Sequence, residues 1–222
     1  SLDVVVIAVV FSHILDKSLH NLFLLFLQKV VVLWVFNKNA WLFLINSYNV
    51  IHAVNPNSKI KVMLLAHIDE IGLVIERVLD NGICKLTNVG AIRPEMYMGQ
   101  HVNVVRFDEK GGYTYVPGVI GYTVNYVDGH VKVEDLNLDL GTSSKEETLK
   151  LVSMGDAVIH KDRYQELEEN KLASRALDDK IAAFICTEVL RKVKEKSNNG
   201  VYFVATVGEE TTGRGAIFSC VD

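Results

Sequence analysis

Three short stretches of this chain hold residues that can do chemistry: His67-x-Asp69, Asp178-Asp179 and Glu209-Glu210. A neutral imidazole ligates a metal ion, and a nearby carboxylate can fix its tautomer and orientation. Two divalent ions about 3.5–4 Å apart need a bridging carboxylate and further nitrogen or oxygen ligands on each side. One His, one bridging Asp and one Glu supply much of that set. A second Glu beside the ligand can take the proton from a metal-bound water. Each stretch alone has an ordinary explanation: a histidine in an apolar run is often a core residue, and paired acids are often solvated surface. The weight comes from all three occurring at element ends beside apolar strands.

The elements around them follow from periodicity. Residues 62–66 are too apolar and too short for an amphipathic helix and read as a buried strand. Alternate side chains of a strand share a face, so His67 and Asp69 project together where it runs out. Residues 181–193 carry apolar side chains at 181, 185, 186, 189, 190 and 193, the period of an amphipathic helix. Lys192 and Lys194 suit its C-terminal end, and Gly200 follows as a stop. Residues 201–207 are a second apolar strand, ending in Gly208-Glu209-Glu210. Helix, strand and acids in that order read as α/β, in which ligands gather beyond the carboxyl ends of parallel strands.

Between the two strands the texture changes. Residues 72–78 are β-rich, Asp80-Asn81-Gly82 is a hairpin turn, and 101–107 and 113–120 flank a second hairpin at 108–112. A third turn at Gly129 sits between 124–127 and 131–133, both read as strands. Such closely spaced strands suggest a small barrel or sandwich. Ser144-Lys145-Glu146-Glu147 starts a capped helix, with Leu149 and Val152 on its apolar side. His101, His130 and His160 have no partner at ligand spacing and read as surface or structural.

The chain has 222 residues, 49% hydrophobic and 23% charged, enough for a sizeable core. A net charge of −4 gives no basis for a nucleic-acid partner. Cys84, Cys186 and Cys220 are odd in number and widely spaced, so a reducing cytoplasm is expected. Residues 1–53 include apolar runs at 4–10 and 22–36. The second is interrupted by Gln28-Lys29 and is shorter than the roughly 20 residues of a membrane span. No membrane association is expected.

Five stretches, in order, resemble the M42 family of metalloaminopeptidases, the tetrahedral or TET aminopeptidases, some of which carry a glucanase label. They are Ala66-His67-Ile68-Asp69-Glu70-Ile71-Gly72, Gly118-Val119-Ile120-Gly121, Asp139-Leu140-Gly141-Thr142-Ser143-Ser144-Lys145-Glu146-Glu147, Ser174-Arg175-Ala176-Leu177-Asp178-Asp179-Lys180 and Gly208-Glu209-Glu210-Thr211-Thr212-Gly213-Arg214-Gly215-Ala216. The resemblance implies a mixed-sheet α/β catalytic domain of zinc-peptidase type, interrupted by a β-rich, barrel-like dimerisation domain. The catalytic domain then takes residues 1–72, with 1–53 poorly matched, and 164–222; the insertion takes 73–163. It implies two divalent ions, zinc or cobalt. His67 would bind one, Asp178 would bridge, and Glu210 would bind the other. Asp69 would orient His67, and Glu209 would be the general base activating a metal-bound water. Short peptides held by their free N-terminus would be the substrates, and copies would assemble through the β domain into dimers and then a dodecamer. The family's remaining ligands, an Asp and a His, are expected beyond residue 222; Asp222 follows Glu210 too closely to be that Asp.

Two rivals stand beside this reading. A glycoside hydrolase needs two acids flanking a sugar bond and no metal. That explains Asp69 and Glu209 but leaves His67 and Asp178 without a role. The other is a truncated, non-catalytic relative that only assembles.

Overall fold

A computed structural model describes residues 5–6, 41–44, 49–107, 112–123, 131–161, 164–194 and 196–220. The chain divides into two compact units, one from residues 1–70 and 176–222, the other from 71–175. The second unit thus runs past 163, where the resemblance ends the insertion, and takes in a short terminal hairpin.

The first unit is built on a five-stranded mixed sheet. Its strands are β1 (Val5–Val6), β2 (Trp41–Leu44), β3 (Val50–Val54), β4 (Lys61–His67) and β13 (Gly200–Thr206), in the spatial order β1-β4-β13-β3-β2. β13 lies parallel to β4 and antiparallel to β3. The apolar runs at 4–10 and 22–36 fall outside the described residues apart from Val5 and Val6. Among the described residues, no helix is long and apolar enough to cross a membrane.

The second unit holds β5 (Gly72–Val78), β6 (Cys84–Val89), β7 (His101–Phe107), β8 (Tyr113–Tyr122), β9 (Leu136–Asp139) and β10 (Ala157–His160), which close into a six-stranded barrel. Alternation sends one face of each strand inward. Leu73 and Ile75 of β5, Val102 and Val104 of β7, Ile120 of β8 and Leu136 and Leu138 of β9 are all fully buried in one cluster. β11 (Tyr164–Leu167) and β12 (Lys171–Ser174) form the terminal hairpin.

Helix α1 (Lys145–Leu151) begins where the capping pattern places it. The Ser144 hydroxyl accepts the Glu147 N–H, and the Glu147 carboxylate accepts the Ser143 N–H at 2.9 Å. Its buried face differs from the expected one. Val152 is buried, but Leu149 is 42% exposed and Thr148 points inward. The Thr148 hydroxyl donates to the Gly82 carbonyl at 2.8 Å, so a hydrogen bond makes a polar residue the better core partner there. The strand expected at 131–133 is absent: Val133–Asp135 is a 3-10 turn, and the pairing strand is β9, just after it. Residues 124–130, including Gly129 and His130, lie outside the described residues, as does the 108–111 tip. His101 is exposed, and His160 stacks on Tyr97 with ring centroids 4.4 Å apart.

In the first unit, helix α2 (Leu177–Val193) lies on β4 and β13. Ala183 and Leu190 pack with Leu64, Ala66, Val201 and Phe203. The buried stripe is rotated from the expected one: Phe184 is buried, while Val189 is 37% exposed. Two short helices, α3 (Glu209–Thr212) and α4 (Arg214–Ser219), follow β13.

Candidate metal centre

The position of the site follows from strand order. β4 and β13 are neighbours running the same way, so their carboxyl ends share one rim of the sheet. The register pairs His67 with Thr206, and the Ile68 N–H donates to the Thr206 carbonyl at 3.0 Å. α2 connects back into β13, so its first residues stand at the same rim. Asp178 and Asp179 have non-helical backbone angles and form a lead-in to α2, with a cis peptide between them.

His67 is almost fully buried. Its Nδ1 lies 3.1 Å from the Asp69 carbonyl and its Nε2 lies 3.0 Å from Asp178 Oδ1. A carbonyl oxygen only accepts, so Nδ1 carries a hydrogen; the ionised Asp178 oxygen also only accepts, so Nε2 donates to it here, and a cation bound at this place would replace that proton on Nε2. The group orienting the ring is therefore the Asp69 main chain; the Asp69 carboxylate is 3.7 Å from Nδ1. That carboxylate has another task. It accepts the N–H groups of Glu209 at 3.3 Å and Glu210 at 3.2 Å, tying the end of β4 to the start of α3. Carboxylates favour this position because the first amides of a helix lack partners within it.

Between β13 and α3, Gly208 has φ +73°, the left-handed region that favours glycine. A Cβ there would meet Arg214 Nε at 2.8 Å. The turn sets Glu209 and Glu210 at the rim. Ligand atoms of His67, Glu209 and Glu210 all fall within 4.8 Å of one another. Glu209 Oε2 is 3.7 Å from His67 Nε2, and its side chain is half exposed. Asp178, with a side chain 89% exposed, reaches the group through its contact with Nε2. The structure thus brings all five sequence-derived residues, His67, Asp69, Asp178, Glu209 and Glu210, to one place.

The electrostatics suit a cation. Burial pulls the His67 pKa down, but Asp178, the Asp69 carbonyl and the carboxylates of Glu209 and Asp69 outweigh it and raise the pKa above the usual value. Glu210 is raised by burial and by the negative charges of Asp178, Glu209 and Asp69, against the opposing pull of His67. Asp179 is raised by burial and by Asp178, although its carboxylate takes hydrogen bonds from the main chain of Ala182 and His67. Acids whose ionised forms are disfavoured by their neighbours gain from an added positive charge.

Sequence patterns did not single out two supports. Lys180, buried in the first turn of α2, pairs with Glu70 at 3.4 Å. Asn49, fully buried, bonds to the main chain on both sides of α3. Neither residue type recurs at a spacing that marks a site. The one signal is a polar residue at the head of a β-rich stretch.

The profile of the M42 glutamyl aminopeptidase family matches residues 49–222. The lysyl aminopeptidase of Pyrococcus furiosus is 30% identical over 161 residues, covering 70% of this chain and 46% of the relative. An aminopeptidase structure from Desulfurococcus kamchatkensis superposes with a TM-score of 0.72 at 32% identity, covering 81% of this chain and 49% of that one. The TET1 peptidase of Pyrococcus horikoshii, which assembles into a tetrahedron or a large octahedral shell, gives 0.70 at 30% identity, covering 83% and 56%. The chain spans about half the length of these relatives. With the profile covering well over half of its residues, the chain belongs to the M42 glutamyl aminopeptidase family.

Proposed function

We propose that this chain carries the catalytic rim of a dinuclear metalloaminopeptidase that removes the N-terminal residue from short peptides. The observation that carries the reading is the convergence of His67, Asp178, Glu209 and Glu210 at one rim, with Nε2 of His67 turned toward the acids. Imidazole and carboxylate donors suit zinc or cobalt. In this reading His67, Asp178 and Glu210 would be the residues that hold the ions. When bound, such ions polarise a peptide carbonyl and lower the pKa of an attacking water.

The chain's own residues do the rest. Glu209, half exposed beside the cluster, holds the proton taken from water at a carboxylate oxygen and returns it to the leaving amine. Asp69 fixes the backbone beneath Glu209 and Glu210, and its carbonyl holds His67 in the Nδ1–H tautomer.

The sheet unit is then the catalytic domain of zinc-peptidase type and the barrel unit an inserted dimerisation domain. Copies of the chain assemble through the barrel, and the protein works in the cytoplasm. The family membership and the shell-forming relative support that assembly.

The test is hydrolysis of amino-acid p-nitroanilides with added zinc or cobalt, alongside elemental analysis of the purified chain. Glu209→Gln is expected to lower turnover by roughly 10²–10⁴-fold while metal stays bound. Full activity in that variant removes Glu209 as the base. A folded chain that takes up no metal favours the non-catalytic reading, and chelator-resistant hydrolysis of a p-nitrophenyl glycoside with the anilides left intact returns the glycosidase-type one.

A further inference from the structure

Glu209 and Glu210 sit on a short segment between β13 and α4. Its ends, Val207 and Gly215, are both held by one side chain. Asn49 stands just before β3 and is fully buried. Its Oδ1 accepts the Val207 N–H at 3.0 Å, and its Nδ2 donates to the Gly215 carbonyl at 2.6 Å and to Ser219 Oγ at 2.7 Å. The Ser219 hydroxyl in turn donates to the Gly215 carbonyl at 2.9 Å. The orientation of the carboxamide is fixed by its partners, since Val207 N–H only donates and the Gly215 carbonyl only accepts. Gly215 permits the close approach: a Cβ there would stand 2.7 Å from Asn49 Oδ1 and 2.8 Å from Val207 N.

We propose that Asn49 is the positioning residue of the Glu209–Glu210 pair, closing both ends of segment 207–215 and so fixing where the two carboxylates stand relative to His67. The middle of the segment is held separately by the Asp69 carboxylate on the Glu209 and Glu210 amides. Two anchors of different chemistry thus leave the segment little freedom. Asn49 touches no reacting atom; it acts through the backbone of the residues that do. Partners one step removed from a metal ligand commonly change affinity 10–100-fold when lost. The effect on metal rests on the metalloenzyme reading above, whereas the effect on the segment does not.

Two variants test it in the 222-residue chain. Asn49→Asp is isosteric and keeps the acceptor for Val207, but sets an oxygen against the Gly215 carbonyl. Asn49→Ser withdraws both end contacts without placing a charge beside the Gly215 carbonyl; it decides the matter if Asn49→Asp does not fold. In the metal-free chain, amide hydrogen exchange of residues 208–214 is expected to rise roughly tenfold, the size of a lost buried hydrogen bond, while 201–206 stay within about twofold. Cobalt affinity is expected to fall about tenfold, with a changed visible absorption of the bound cobalt. Unchanged exchange at 208–214 in folded variants overturns the proposal. So does raised exchange with unchanged cobalt affinity and spectrum, which would make Asn49 a purely structural clamp. Should the wild-type chain bind no cobalt, the exchange result alone judges the clamp.

Discussion

The two units bury different kinds of residue. The barrel core is mostly Leu, Ile and Val on alternating positions, with Cys84 and Tyr97 among them, and apart from the Tyr97 hydroxyl and the Cys84 thiol Thr148 is the sole buried polar side chain of its described residues. The sheet unit buries Asn49, His67, Lys180, Glu188 and Thr206 alongside its apolar cluster. Each apolar side chain removed from water contributes about 1.5–3 kcal/mol, whereas a polar one costs free energy unless it is bonded. The barrel is therefore a packing solution, and the sheet unit spends part of its stability on placing groups. The difference teaches where to look for chemistry: in the unit whose interior is less favourable than it could be.

Four measurements break or sharpen that contrast. Leu138→Ala, deep in the barrel, should cost about 2–5 kcal/mol in denaturant unfolding and leave zinc affinity unchanged. An altered zinc affinity there would deny the division of labour. Thiol labelling comes next. Burial pushes Cys84, in the barrel, and Cys186, in the sheet unit, up to about 11. At pH 8 the exposed Cys220 should react on the order of 10²-fold faster than either with an aromatic disulfide. Labelling of the fully buried Cys84 and the partly exposed Cys186 should keep rising toward about pH 11, because their thiolates form only there. If the barrel is the more rigid unit, Cys84 should also lag behind Cys186.

Asp69→Ala should weaken zinc binding about 10–100-fold, since it frees the amides of Glu209 and Glu210. Isothermal titration checks it, and an unchanged affinity would mean that α3 holds itself. The smallest effect is expected from Lys180→Met. Its partner Glu70 is partly solvated, so the loss should be about 1 kcal/mol in thermal unfolding, short of a fully buried pair. A loss of several kcal/mol would show that the rim depends on this ion pair as much as the barrel depends on its core.

Much of this was legible in the sequence because it rests on local periodicity. The apolar run ending at His67, the run ending before Glu209 and the helix after Asp179 each announce themselves, and their order implies one rim. What was not legible depends on partners far away in the chain. Thr148 displaces Leu149 from the core because a carbonyl at Gly82 awaits it. β9 is short, and only its neighbours β6 and β8 make it a strand. Asp69 reads as a ring-orienting acid, yet its carboxylate serves two amides on α3 while its carbonyl holds the ring. Asn49 has no motif, because what it recognises is main chain.

Closure of the barrel has its own consequence. Each of the six strands is flanked on both sides over part of its length, but the ladders are uneven: β8 pairs with β7 along Tyr113–Val119 and with β9 only over Val119–Tyr122. Among the described residues, Tyr113–Gly118 of β8 has no strand on the side away from β7, so added backbone could be met there, whereas elsewhere on the ring a neighbouring molecule would have to grip protruding side chains. Phe107, Tyr113 and Met154 stand outward on this unit. A partner gripping these would be recognised by replaceable residues, so the strength and choice of such a contact could drift while the ring itself stays intact.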